Sequence, residues 1–99
     1  MKFSEAMLKG YQMAGGRQFH GGTYAPADDN WNKPSRVCVL GAATLALSGC
    51  AGGTGASTFT TLGPEVREFC AAWGIRPEDL NDEGMPWEHI YGMAVAAGL

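Results

Sequence analysis

A chain of 99 residues with 45 % hydrophobic and 17 % charged side chains holds enough apolar material for one modest core and too much to stay disordered. A net charge of −3, with no basic stripe of any length, argues against a nucleic-acid-binding surface. Three cysteines without a Cys-x-x-Cys pair fit buried thiols in a reducing cytoplasm better than a disulfide framework, and two histidines far apart in sequence give no metal-ligand spacing.

Charge is segregated along the chain. Residues 1–36 carry five basic and three acidic side chains, a balance of +2, whereas residues 63–99 carry two basic against seven acidic, a balance of −5. The block between them is uncharged. An acidic third of this kind attracts basic partners or simply keeps helix surfaces hydrated.

The first predicted helix covers 4–16, with Ser4 as cap, Glu5 in the positive first turn, and Phe3, Met7, Leu8, Tyr11 and Ala14 at helical spacing. Gly15-Gly16 stops it. Residues 17–36 form a long connection, broken by Gly21-Gly22, Pro26 and Pro34, for which Phe19, Tyr24 and Trp31 are the ordering aromatics. Residues 27–31 within it suit a single helical turn.

A second helix is expected over 35–49, with Ser35 as cap and Gly49 as stop. Val37, Leu40, Leu45 and Leu47 give it bulk, while Gly41, Ala42, Ala43 and Ala46 let a neighbouring backbone approach. No charge interrupts its circumference, so it is expected to be the central and most buried helix. The charge-free stretch 37–62 is strongly apolar only over its first eleven residues, short of the roughly 20 needed to span a bilayer. Leu47-Ser48-Gly49-Cys50 has the shape of a bacterial lipoprotein processing site, but an export signal starts near an N-terminus and an amphipathic helix already precedes this one. The segment therefore reads as a core helix of a cytoplasmic protein with no membrane attachment.

Residues 51–57 form a glycine-rich loop. Its amides could make an anion nest, yet it follows a helix and lacks the lysine of a phosphate loop, so it reads as a linker. Residues 58–62 alternate weakly like a strand with no partner. Pro64 opens a third helix over 64–74, whose Val66, Phe69, Cys70 and Trp73 make a core face before Gly74. Residues 76–84 read as an acidic turn in which Asn81 and Asp82 close a turn or cap a helix. The last helix spans 86–97 and places Trp87, Ile90, Tyr91, Ala94 and Val95 on one side. These elements make an all-α, single-domain, four-helix arrangement over residues 1–99 with Gly-rich loops, small enough for a homodimer to be expected.

Three segments carry a resemblance. Cys38-Val39-Leu40-Gly41-Ala42-Ala43 resembles the Cys-x-Leu-Gly-Ala-Ala element of small uncharacterised phage and prophage proteins. Leu80-Asn81-Asp82 followed by Gly84, Trp87, Glu88 and Ile90 is similar to their closing pattern, and Phe3 to Gly10 to their usual start. The resemblance implies a small helical protein of the host bacterial cytoplasm and brings no catalytic residue with it. It covers about a third of the chain, and Pro86 departs from the pattern.

The chemistry-bearing residues point the same way. A Cys–His hydrolase would pair Cys50, the one cysteine off a predicted core face, with His20 or His89. Asp79, Asp82, Glu83 and Glu88 lack the alternate-residue ligand spacing of a calcium loop. No nucleophile–base pair, metal site or cofactor fingerprint is coherent, so the expected protein is non-enzymatic, without cofactor or metal, and acts by binding a host protein. Arg17, Phe19, His20, Tyr24 and Trp31 are the candidate binding residues, because Arg and aromatics dominate interface energetics. The alternative is a helix-turn-helix regulator of nucleic acid, which needs basic residues on its second helix; only Lys33, Arg36, Arg67 and Arg76 are candidates.

Overall fold

The computed structural model describes residues 1–52 and 58–99, with only the backbone of residues 58–61. Among the described residues it has five helices and no strand: α1 (Phe3–Met13), α2 (Val39–Ser48), α3 (Thr58–Trp73), α4 (Pro77–Asp82) and α5 (Trp87–Ala96). The mostly-α expectation holds; the helix count is one higher than expected, because the acidic stretch after Gly74 is helical. None of these helices is long and apolar enough to cross a membrane.

Helix α1 starts one residue earlier than its sequence suggests. Ser4 is not the cap but a buried residue inside the helix, and its amide donates to the Leu99 carbonyl at 2.9 Å, tying the two ends of the chain together. The Gly15-Gly16 stop is as expected: both glycines have φ near +70°, and the Gly16 amide returns to the Tyr11 carbonyl at 2.8 Å.

The central helix is α2, buried from Val39 through Leu45. It begins at Val39 rather than 35, since residues 35 and 36 bend, Val37 is bridged to Gln18 and Cys38 is extended. Ser35 is occupied elsewhere, and the cap is Cys38, whose Sγ accepts from the Gly41 amide at 3.2 Å. Gly49 closes the helix in the left-handed conformation at φ +76°, where any side chain would be strained. Leu47, expected to add bulk to the core, is exposed.

Small residues decide how α1 and α2 meet. A Cβ placed on Gly10 would overlap the Ala42 carbonyl, so the helices cross backbone to backbone at this point. Around the crossing, Phe3, Met7, Leu40, Ala43, Leu62, Phe69, Leu80, Trp87 and Ile90 belong to one buried cluster that joins every helix. Tyr11, Trp87 and Tyr91 stack in series over it, with centroids 4.2 and 4.9 Å apart and planes within 11°.

The third helix starts at Thr58, not Pro64, so residues 58–62 are its first turns rather than a strand. Pro64 lies inside it, where the missing amide forfeits one intrahelical bond. Leu62, Val66 and Phe69 make the buried face; Trp73 does not join it and instead donates its indole N–H to the Met93 carbonyl at 3.0 Å from an exposed position. Pro77 begins α4 in the N1 position its fixed φ favours. In α5, Trp87, Ile90 and Ala94 are buried, whereas Val95 faces outward. Of the expected glycine-rich loop at 51–57, residues 53–57 lie outside the described residues.

Candidate functional site

Twenty-five residues separate α1 from α2 and contain no helix, yet they are bound into the fold at every level. Gln18 and Val37 form a parallel bridge, in which the Phe19 amide donates to the Val37 carbonyl at 2.9 Å and the Val37 amide to the Arg17 carbonyl at 3.1 Å. Further along, the Cys38 amide donates to the Tyr24 carbonyl at 3.0 Å. That carbonyl sits where a Cβ on Gly41 would be, so only glycine at 41 lets the connection lie directly on α2. Residues 27–31 make turns rather than a helical turn: Asp29 donates its amide to the Pro26 carbonyl and Lys33 to that of Asn30. Asp29 then closes the tip, its Oδ2 accepting from the Ser35 amide at 2.7 Å and the Ser35 hydroxyl at 2.8 Å. These bonds hold the Asp29 carboxyl below its ordinary value.

Two side-chain amides, distant in sequence, lock this connection to the helices. Asn81 on α4 is completely buried. Its Oδ1 accepts from Gln18 Nε2 at 2.9 Å and from the Val39 amide at 3.2 Å, and its Nδ2 donates to the Phe19 carbonyl at 2.8 Å. Gln18 Nε2 also donates to the Met85 carbonyl at 2.9 Å, while its Oε1 accepts from the Trp87 amide at 2.6 Å. The first residue of α2 and the first residue of α5 are thus capped by side chains from other elements, which satisfies orphan amides that their own flanking residues leave open. His20 completes the knot: its Nδ1 donates to the Asn81 backbone carbonyl at 2.7 Å, and since a carbonyl only accepts, the proton is on Nδ1.

The five sequence-predicted binding residues are divided by this arrangement. Tyr24 and Trp31 come together edge to face with centroids 6.1 Å apart. Trp31 is fixed twice, by its indole N–H donating to the Pro26 carbonyl at 2.9 Å and by lying against Gly52, where an added Cβ would fall 2.6 Å from the ring. Phe19 pairs instead with Arg36, whose guanidinium carbon stands 5.3 Å from the ring centroid. His20 belongs to the Asn81 knot, and Arg17 is exposed.

Beside Tyr24 and Trp31 opens a cavity of about 240 Å³, walled also by Gly22, Thr23, Cys38, Leu40, Glu78 and Asp82. Sequence reasoning missed it because its walls come from three separated segments. Glu78 and Asp82, four residues apart on α4, share a helix face, which was the only available signal. Neither Glu78 oxygen is exposed to solvent, and no other residue donates a hydrogen bond to either. Burial raises the Glu78 carboxyl above its ordinary value, opposed only in part by its own amide and the Arg76 charge. Arg76 is committed to Asp79, at 3.0 Å. The Cys38 thiol is pushed up to about 11 by burial, so at neutral pH it is a capping thiol rather than a thiolate nucleophile. Among the described residues no group of three His, Cys, Asp or Glu side chains is placed to hold a metal. The other two cysteines, Cys50 and Cys70, are half-buried, and neither lines the cavity, nor does His20 or His89.

No protein-family model, curated protein or solved structure matches this chain.

Proposed function

We propose that this chain is a non-enzymatic accessory protein of phage type that acts in the host cytoplasm by binding a host protein, using the surface of the connection between α1 and α2. The observation that carries the reading is the Gln18–Asn81 knot. A segment with no helix of its own is held by five hydrogen bonds made through the side chains of Gln18, His20 and Asn81, so its order is established on folding. A loop fixed in this way presents Arg17, Phe19, Tyr24 and Trp31 without the ordering cost that a mobile loop meets on association. The phage-type assignment is supported by the Phe3–Gly10, Cys38–Ala43 and Leu80–Ile90 patterns alone.

A helix-turn-helix role fits less well. The two tightly connected pairs among the described residues are α3–α4 and α4–α5; the second helix of each contains no Lys or Arg, and Arg76 at the start of α4 is paired with Asp79. Phosphate contacts from such a helix lack their cations.

The test is capture from host lysate with wild type and with the Phe19→Ala plus Trp31→Ala double variant. The expected result is a host protein retained by wild type and lost from the double variant, with both chains folded by circular dichroism. Retention of nucleic acid alone, released steeply by salt, would overturn the protein-binding reading.

A further inference from the structure

The cavity beside Tyr24 and Trp31 has walls of an unusual combination: two aromatic rings, two carboxylates and no basic side chain. Its size, about 240 Å³, is below the roughly 300 Å³ at which drug-sized ligand sites begin and suits one extended side chain. We infer that it receives the cationic end of an alkyl chain, the ammonium or guanidinium of a lysine or arginine supplied by a protein partner, with the Tyr24 and Trp31 rings flanking the stem and Glu78 and Asp82 taking the charge. This deepens the protein-binding reading and rests on it for the source of the side chain.

Three features converge on a cation. The faces of tyrosine and tryptophan carry negative quadrupole density, which attracts ammonium and guanidinium groups. The Glu78 carboxylate is shielded from water and receives no hydrogen bond from any other residue, a state that costs free energy unless a donor arrives. The nearest cation on its own helix start, Arg76, is already engaged by both Asp79 oxygens at 3.0 and 3.2 Å. A cation in the cavity turns the Glu78 carboxylate inward and replaces an unpartnered buried acid with a charge-assisted hydrogen bond, while Asp82, exposed one helical turn later, holds the outer side. The walls are set beforehand. Trp31 is fixed by Pro26 and Gly52, and the Tyr24 backbone by Cys38 and Gly41.

The experiment is a titration of the isotope-labelled full chain, followed by amide and indole resonances. The probes are the blocked amino acids Nα-acetyl-lysine methylamide and Nα-acetyl-arginine methylamide, with the uncharged norleucine analogue as control and 1,4-diaminobutane as a free amine. Saturable shifts at the Trp31 indole and at Tyr24, Leu40, Glu78 and Asp82, at least roughly tenfold tighter for a blocked basic residue than for norleucine, support the assignment. Glu78→Gln with Asp82→Asn should weaken that binding by about tenfold or more while leaving the chain folded. Equal binding of norleucine, no binding of either blocked residue, or binding unchanged in the double variant overturns it; saturation by the diamine alone overturns the side-chain source. The same double variant in the lysate capture separates the two readings. A partner retained by it but lost with Phe19→Ala plus Trp31→Ala leaves the protein-binding reading standing and removes the cavity from it.

Discussion

Two regions of this molecule reach fixed structure by opposite means. Where α1 crosses α2, order comes from what is missing: Gly10 has no side chain, so its helix rests on the Ala42 backbone and large apolar residues close around the contact. In the connection between those helices, order comes from polar groups, with Gln18 and Asn81 supplying hydrogen bonds that the irregular backbone cannot make for itself. The first device fails by overlap and is intolerant of any added atom. The second fails when one amide is removed, because it strands several partners at once.

The largest expected effect is therefore at the crossing. Gly10→Ala puts a methyl group into the Ala42 carbonyl, which only a shift of one whole helix relieves, and should cost on the order of 3 kcal/mol or more in denaturant unfolding. A loss under about 0.5 kcal/mol would show that the helices are not in backbone contact there. Next comes Asn81→Ala, which leaves the Val39 amide, the Phe19 carbonyl and one Gln18 hydrogen unpaired in the interior, for an expected loss of about 3 kcal/mol. Asn81→Asp sharpens the point: it keeps the acceptor for Gln18 and Val39 but loses the donor to Phe19, and it should not restore wild-type stability.

A smaller effect is expected in the aromatic stack that lies between the two regions. Tyr11→Leu keeps apolar bulk but removes the face-to-face contact with Trp87, and about 1 kcal/mol should be lost. The smallest effect has the opposite sign. Glu78 has its carboxyl raised by burial, so the folded state favours its protonated form, and the stability this contributes at acid pH is lost as pH rises through the raised value. Glu78→Gln, which cannot ionise, should therefore be the more stable protein at neutral pH, with the gap closing in acid through the ordinary glutamate range. Equal stability at both ends would mean that the carboxylate is better solvated than its surroundings indicate. A residue whose replacement stabilises the chain while weakening cation binding is kept for the site rather than for the fold.

The same contrast explains what could be read in advance. Apolar periodicity and glycine punctuation located α1, α2 and α5 to within a few residues, and identified α2 as the buried helix, since Val39 to Leu45 carries no charge on any side. The errors cluster where a long-range polar contact decides. Ser35 looks like a cap, but Asp29 takes its amide and hydroxyl, so α2 begins four residues later at Val39. Residues 76–84 look like a turn because Pro, Asp and Asn crowd there, yet burial of Leu80 and Asn81 holds six of them as α4. Asn81 does cap a helix, as its residue type suggests, but the helix is α2 and lies 42 positions away. No local pattern encodes such a partner. The candidate binding residues fared similarly: composition singled out Tyr24 and Trp31 as aromatics, but their company with Glu78 and Asp82 exists only once α4 has folded against the connection.

The claim on which the rest depends is that the connection is part of the rigid fold because Asn81 holds it there, and residue-resolved hydrogen exchange tests it most directly. In wild type the amides of Phe19, Val37, Cys38 and Val39 should exchange as slowly as those in the middle of α1, since each is hydrogen-bonded. In Asn81→Ala, under conditions where the chain remains folded, these four should lose protection by a larger factor than the α1 amides do. Free-peptide exchange at Phe19 and Val37 in the wild type, or a uniform loss across all helices in the variant, would contradict the account.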